Sequence, residues 1–208
     1  MRSGSGTLVL MDGSLPSLVA AAMAREGRLE SVGGEVSLGA SDGVRGPVAW
    51  LIGNSAMLRC AAAQAEQLGM QIVARGEPSE ELTVERASGL VLLACAIAGA
   101  RLGCGAVVWG AHCAAPGSET EVEIDRVAEG IDRATLIGRL ASLEARAEVD
   151  VQTPFIDLCD VQIADLAIDM GVDPSTCWWA KGDGAAMAER RRWKAALRGR
   201  GVVGIGQG

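Results

Sequence analysis

What most restricts this chain is a rhythm of short apolar runs alternating with segments long enough for a helix. The runs are "TLVLM" at 7–11, "PVAWLI" at 47–52, "MQIVAR" at 70–75, "GAVVWG" at 105–110 and "AEVDVQTP" at 147–154. Most lack the polar–apolar alternation of a strand with one wet face, so they read as strands covered on both sides. Helical stretches lie between and after them, at 17–26, 55–69, 83–103, about 120–143, 160–171 and 184–200. A strand that reaches its neighbour through a helix runs parallel to it. The rhythm therefore predicts a parallel sheet with helices on both faces. Ligands of such sheets bind at the carboxyl ends of the strands, near the point where strand order reverses. The lips to examine are residues 12–17, 53–55, 110–113 and 153–157.

Local signals mark the ends of these elements. Asn54 or Ser55 is placed to cap the second helix, and Gly69 to close it. Thr83 opens the long helix, Gly103 stops it, and Pro154 ends the fifth strand. Leu18, Ala21, Ala22 and Arg25 share one helical spacing, and Ile163, Leu166, Ala167 and Met170 form an inward stripe on another. Residues 29–46 are turn-rich, with a short strand expected around Val36 and a mobile Gly/Ser stretch after it. Residues 201–208 are expected to fray.

Composition narrows the function. With one Phe, no Tyr and five Trp in 208 residues, the core must come from aliphatic side chains and Trp. A formal charge of −7 opposes broad binding to nucleic acid or an anionic membrane. The longest apolar stretch is interrupted by Arg101, and no leader pattern opens the chain, which predicts a cytoplasmic protein without a membrane span. Six cysteines stand without CxxC spacing and His112 is the only histidine, so no zinc site is expected. Most of these thiols should be small buried residues in a reducing compartment.

The first lip, Asp12-Gly13-Ser14-Leu15-Pro16-Ser17, has the outline of a phosphate cradle between a strand and a helix. Turns of this kind are common, and on its own the match is weak, a plain turn being the more ordinary explanation. The segment "VQTPFIDLCDVQIADLAIDMGVDPSTCWW" at 151–179 is more specific. Its Thr153, Pro154, Ile156, Leu158, Ile163, Leu166, Gly171, Val172, Asp173 and Trp178 resemble the 7-cyano-7-deazaguanine synthases, a branch of the PP-loop ATP-pyrophosphatases. "VLLACAIAGARLGCGAVVWGAH" is similar to the buried helix and following strand of the same family.

The resemblance implies an adenine-nucleotide α-hydrolase-like fold. That is a three-layer α/β sandwich on a five-stranded parallel sheet of order 3-2-1-4-5, here spanning 1–175, with a C-terminal helical extension at 176–208. It implies ATP and Mg²⁺ as cofactors and a small nucleotide or purine as ligand. It also implies an adenylate that ammonia converts to a nitrile, and a homodimer. Asp12, Gly13, Ser14 and Ser17 match the phosphate loop, and Gly53, Asn54, Gly110 and Ala111 are the other nucleotide-binding candidates. His112, Trp178 and Lys181 are the substrate candidates.

The chain also departs from that pattern. Asp12 replaces the first loop serine and Pro16 replaces the loop aspartate. A carboxylate about 4 Å from a phosphate costs roughly 4 kcal/mol per unit charge at an effective dielectric of 20. Asp160 stands where the family has a lysine, and the family's zinc-binding cysteines have no counterpart after Cys177. These changes point to weakened or lost ATP-dependent ligation.

Several residues admit two readings. Asp12 is either a magnesium ligand or the cap that opens the first helix. His112 is a substrate contact, a general base or a structural side chain. Cys113 beside it lacks any sequence sign of activation. Trp178 and Trp179 either stack on a purine or close the core edge. "ERRRWKAALRGR" is either an anion-binding surface or a solvated face with Trp193, Ala196 and Leu197 packed inward. Lys181 is the one base in its loop and a candidate replacement for the missing lysine.

Overall fold

The strands of this protein pair as their lack of a polar face demands. The computed structural model describes residues 6–29, 46–76, 84–115, 117–181 and 184–198. Strands β1 (Gly6–Met11), β2 (Pro47–Ile52), β3 (Gln71–Gly76), β4 (Cys104–Trp109) and β5 (Asp150–Gln152) form one parallel sheet in the order β3-β2-β1-β4-β5. β1 is central, pairing Val9 with Ala49 on one side and with Val108 on the other. Its side chains alternate between two apolar layers. Val9 and Met11 enter one layer with helices α1 (Leu15–Arg25), α2 (Ser55–Gln67), α5 (Asp160–Asp169) and α6 (Ala185–Ala196). Leu8 and Leu10 enter the other, with α3 (Val84–Arg101) and α4 (Ile124–Ala145). The three-layer α/β sandwich and the strand order are as expected.

The C-terminal segment is built into this body. Trp179 and Trp193 are fully buried in the layer that holds Met11 and Leu15, with Ala196 and Leu197 beside them. That is the inward face expected for the last helix. Ile163 and Ala167 of α5 are buried, and Leu166 and Met170 pack against the same cluster.

Some boundaries move, each for a local reason. Helix α1 starts at Leu15 rather than Ser17, because Pro16 fits a first turn that needs no N–H. α4 starts at Ile124, not near 120, since the preceding chain doubles back through an Ala114–Val122 bridge. Strand β5 is shorter than 147–154. Val149 is clamped by the Ser142 hydroxyl, which accepts from its N–H at 3.1 Å and donates to its C=O at 3.2 Å. α6 ends at Ala196 rather than 200. The strand expected around Val36, the Gly/Ser stretch, the Thr83 helix opening and the frayed tail lie outside the described residues.

Asn54, rather than Ser55, caps α2, its Oδ1 accepting from Ala56 N–H at 3.0 Å and Met57 N–H at 3.1 Å. Asn54→Ala is expected to lower unfolding free energy by about 1 kcal/mol in urea melts. An unchanged midpoint would show that the cap contributes nothing. Among the described residues no helix is long and apolar enough to cross a membrane.

Candidate functional site

The parallel register gathers the expected lips at one edge of the sheet. Met11 lies opposite Leu51 and Leu10 opposite Trp109. Asp12, Gly53 and Gly110 therefore leave the sheet side by side, and Thr153 follows β5 at the same edge. The β1–β4 gap is the point where strand order reverses. It is narrow: a Cβ on Gly110 would stand 2.9 Å from the Pro16 carbonyl and 3.0 Å from Ser17 N. The end of β4 thus rests directly on the first turn of α1.

The loop after β1 satisfies much of its own hydrogen bonding. Asp12 Oδ1 accepts from Ser14 N–H at 2.9 Å, so Asp12 ties the loop, while Ser14 is the residue that caps α1. The expectation that Asp12 caps this helix is corrected: an Asp two residues short of the cap reaches only the Ser14 amide. Ser14 Oγ accepts from Ser17 N–H and Ser17 Oγ from Asp12 N–H, both at 3.4 Å, and Ser17 is buried. Pro16 has no N–H. Three amides that a phosphate would use already serve side chains of the loop, and a carboxylate stands among them. The loop as it stands does not fit a triphosphate.

Gly13 is held from behind. Its carbonyl accepts from Trp178 N–H at 3.0 Å and from Gln64 Nε2 at 3.4 Å. Its φ is +75°, and a Cβ there would lie 2.9 Å from Met57 O. The helix α2 backbone and the 176–179 loop thus grip the turn from two sides. Gly53, at φ +121°, turns the chain from β2 toward the Asn54 cap.

The 110–113 lip contributes to a cluster of three side chains. Asp160, in the first turn of α5, is 1% exposed. Its Oδ2 accepts from Arg192 Nε at 2.5 Å, and its Oδ1 accepts from Arg192 Nη2 at 2.6 Å. His112 Nε2 lies 2.9 Å from the same Oδ1 and 2.7 Å from Arg192 Nη2. Burial pushes the Asp160 carboxyl up, but hydrogen bonds from His112 and Arg192 and the guanidinium charge outweigh it, and its pKa falls below the ordinary value. Burial pulls Arg192 down, and Asp160 more than reverses that. The helix N-terminus adds a favourable field for the acid.

Arg192 from α6 thus neutralises Asp160, and His112 shares in the pair. Its Nε2 either donates to Asp160 or accepts from Arg192, and a single nitrogen cannot do both at once. Either way that nitrogen is engaged. The ring also stands 5.7 Å from the Trp193 ring, tilted by 43°.

The other candidates are placed as follows. Ala111 is half-buried between Gly110 and His112. Trp179 is core, and Trp178 packs partly buried against it. Lys181 is exposed, and its charge reaches Cys60, whose thiol burial pushes up while Arg59 and Lys181 oppose. Cys113 is buried and its thiol is raised, chiefly by burial, so it is not an activated nucleophile. Cys95 and Cys104 are pushed by burial to about 12 and about 11. Among the described residues no three His, Cys, Asp or Glu side chains converge in a way that would hold a metal ion.

Arg192 is the site residue that the sequence did not single out. A signal existed: an acid beside the apolar positions Ile163 and Ala164 on a buried helix requires a cation. Nothing in the chain says which of the clustered arginines supplies it. Neither the known protein families nor the curated proteins contain a match to this chain.

Proposed function

We propose that this chain is a purine- or nucleotide-binding protein of 7-cyano-7-deazaguanine synthase-like PP-loop descent, cytoplasmic and homodimeric, in which ATP-dependent ligation is weakened or lost. The descent rests on the resemblance of the 151–179 segment and of the β4 region, together with the strand order. The loss of ligation rests on one observation. The β1–α1 loop spends its amides on Asp12, Ser14 and Ser17, which leaves a phosphate little to bind. The engaged Nε2 of His112 supports the same conclusion.

Calorimetry on the full chain tests the reading, with 7-deazaguanine, adenosine and ATP–Mg²⁺ as separate titrants. Binding heat is expected from at least one purine, without release of AMP and pyrophosphate. AMP and pyrophosphate formed from ATP in the presence of 7-carboxy-7-deazaguanine and ammonia would establish the alternative, an active ligase making the nitrile for queuosine biosynthesis. No heat from any of the three ligands would end the binding part.

A further inference from the structure

His112 stands where an acid and a base already meet. Its Nε2, Asp160 Oδ1 and Arg192 Nη2 form a triangle with edges of 2.9, 2.6 and 2.7 Å. Every edge is short enough for a hydrogen bond. A neutral ring presents either a lone pair or a proton at Nε2. With the lone pair it accepts from Arg192, and with the proton it donates to Asp160.

An imidazolium carries a proton on both ring nitrogens. Only the Asp160 edge then suits it. The Arg192 edge becomes a donor against a donor and a cation against a cation at 2.7 Å. One side chain must move, and burial selects which. Asp160 is fixed on the first turn of α5 with a 2% exposed side chain, whereas the Arg192 side chain is 36% exposed.

Arg192 has a second acid within reach. Its Nη1 lies 3.5 Å from Glu189 Oε1, one turn back on α6, and the same oxygen accepts from Trp193 Nε1 at 2.8 Å. A turn toward Glu189 keeps the guanidinium paired but moves the pairing from between two helices to within one. The charged groups set against His112 are thus Asp160 from α5 and Arg192 from α6, with Glu189 behind Arg192. The hairpin after His112 packs here through its backbone, Glu119 C=O accepting from Val161 N–H at 3.1 Å. Cys113 adds a thiol that burial keeps protonated. Two carboxylates stand against one guanidinium, so the charge balance of the cluster admits a second cation. The positions of the atoms do not.

The two halves of α6 are held differently. Trp193, Ala196 and Leu197 bury the second half in the core. The first half has Ala186 buried, a bond from Arg190 Nε to Trp179 O at 3.1 Å, and the Arg192–Asp160 pair. We propose that His112 is a pH-operated latch on α6: its protonation takes Asp160 Oδ1 from Arg192, and the first half of the helix loosens while Trp193 stays in the core. The latch stands on the geometry of this cluster and is independent of the ligand reading above.

His112 is the only histidine of the chain, so the imidazole C–H signals in NMR spectra of the full protein follow it alone. A titration from about pH 8 to about pH 5, where histidine ordinarily changes charge, gives its midpoint. Amide hydrogen exchange, corrected for its intrinsic pH dependence, gives the protection of residues 186–192 relative to β1. Below the His112 midpoint that relative protection is expected to fall at least about fivefold. The Arg192 Nε–H signal of the native protein is expected to exchange faster with water at the same midpoint. His112→Gln supplies a donor and an acceptor that never charge, and it is expected to keep the protection of 186–192 level over the whole range. A ring that does not titrate in this range overturns the proposal. So does a titration that leaves α6 and the Arg192 signal unmoved, or a His112→Gln protein with the native pH dependence.

Discussion

Arg192→Met is expected to lower unfolding free energy by about 3 kcal/mol at neutral pH, the lower end of the range for breaking a buried ion pair. The lower end applies because the Arg192 side chain is 36% exposed and because His112 remains beside the acid. Asp160 cannot follow its lost partner into water, since it sits on the first turn of α5 with a 2% exposed side chain. The loss has a pH signature. In the native protein the Asp160 carboxyl lies below its ordinary value. Its stabilising contribution is therefore complete above an unfolded-state pKa of about 3.9 and disappears as the pH falls through the folded value. Without Arg192, burial loses its main counterweight and the carboxyl rises. The deficit is then smallest in acid, where the group is protonated, grows as the pH climbs to the new value, and is level above it. Urea melts at about pH 4.5 and pH 7 read this difference, and Asp160→Asn combined with Arg192→Met should regain much of it. Equal losses at both pH values would show that Arg192 acts by packing alone.

Gly13→Ala is expected to cost about 3 kcal/mol. Left-handed backbone contributes about 1–2 kcal/mol for a residue with a Cβ. Overpacking contributes a further 1–3 kcal/mol or so. The second cost cannot relax cheaply, because the atoms met are Met57 O at 2.9 Å and Ala61 N at 3.2 Å, both backbone of α2. The effect should extend beyond stability. Gly13 O is where the 176–179 loop and Gln64 attach, so a displaced turn should expose amides of 177–179 to hydrogen exchange more than those of β1. A melt within about 0.5 kcal/mol of the native one would mean that the turn yields to a methyl group without loss.

These two sites divide what the sequence made legible from what it did not. The β1–α1 turn was legible because its determinants are neighbours. Asp12, Gly13, Ser14 and Pro16 act on bonds only a few positions away, and local chemistry of that kind is written in order along the chain. Its one misreading, the identity of the cap, was a two-residue ambiguity among residues that all favour that role. The Asp160–Arg192–His112 cluster was not legible. Its members come from the start of α5, the middle of α6 and the end of β4, separated by 32 and 80 positions. In the sequence nothing links Asp160 to His112, whereas the fold makes each the other's neighbour.

By itself, then, the sequence determined the parallel sandwich. Apolar runs without a polar face must be covered on both sides, and helices of the right length lie between them. It also determined the donor pattern of the β1–α1 turn, because a proline and an acid change a turn's donors whatever surrounds it. Only the tertiary structure decided which charges meet and which of the four arginines and lysines on the last helix turns inward. The physical reason is that burial and ion pairing depend on distances through space, and a chain folded through parallel crossovers brings together residues whose separation in sequence says nothing about those distances.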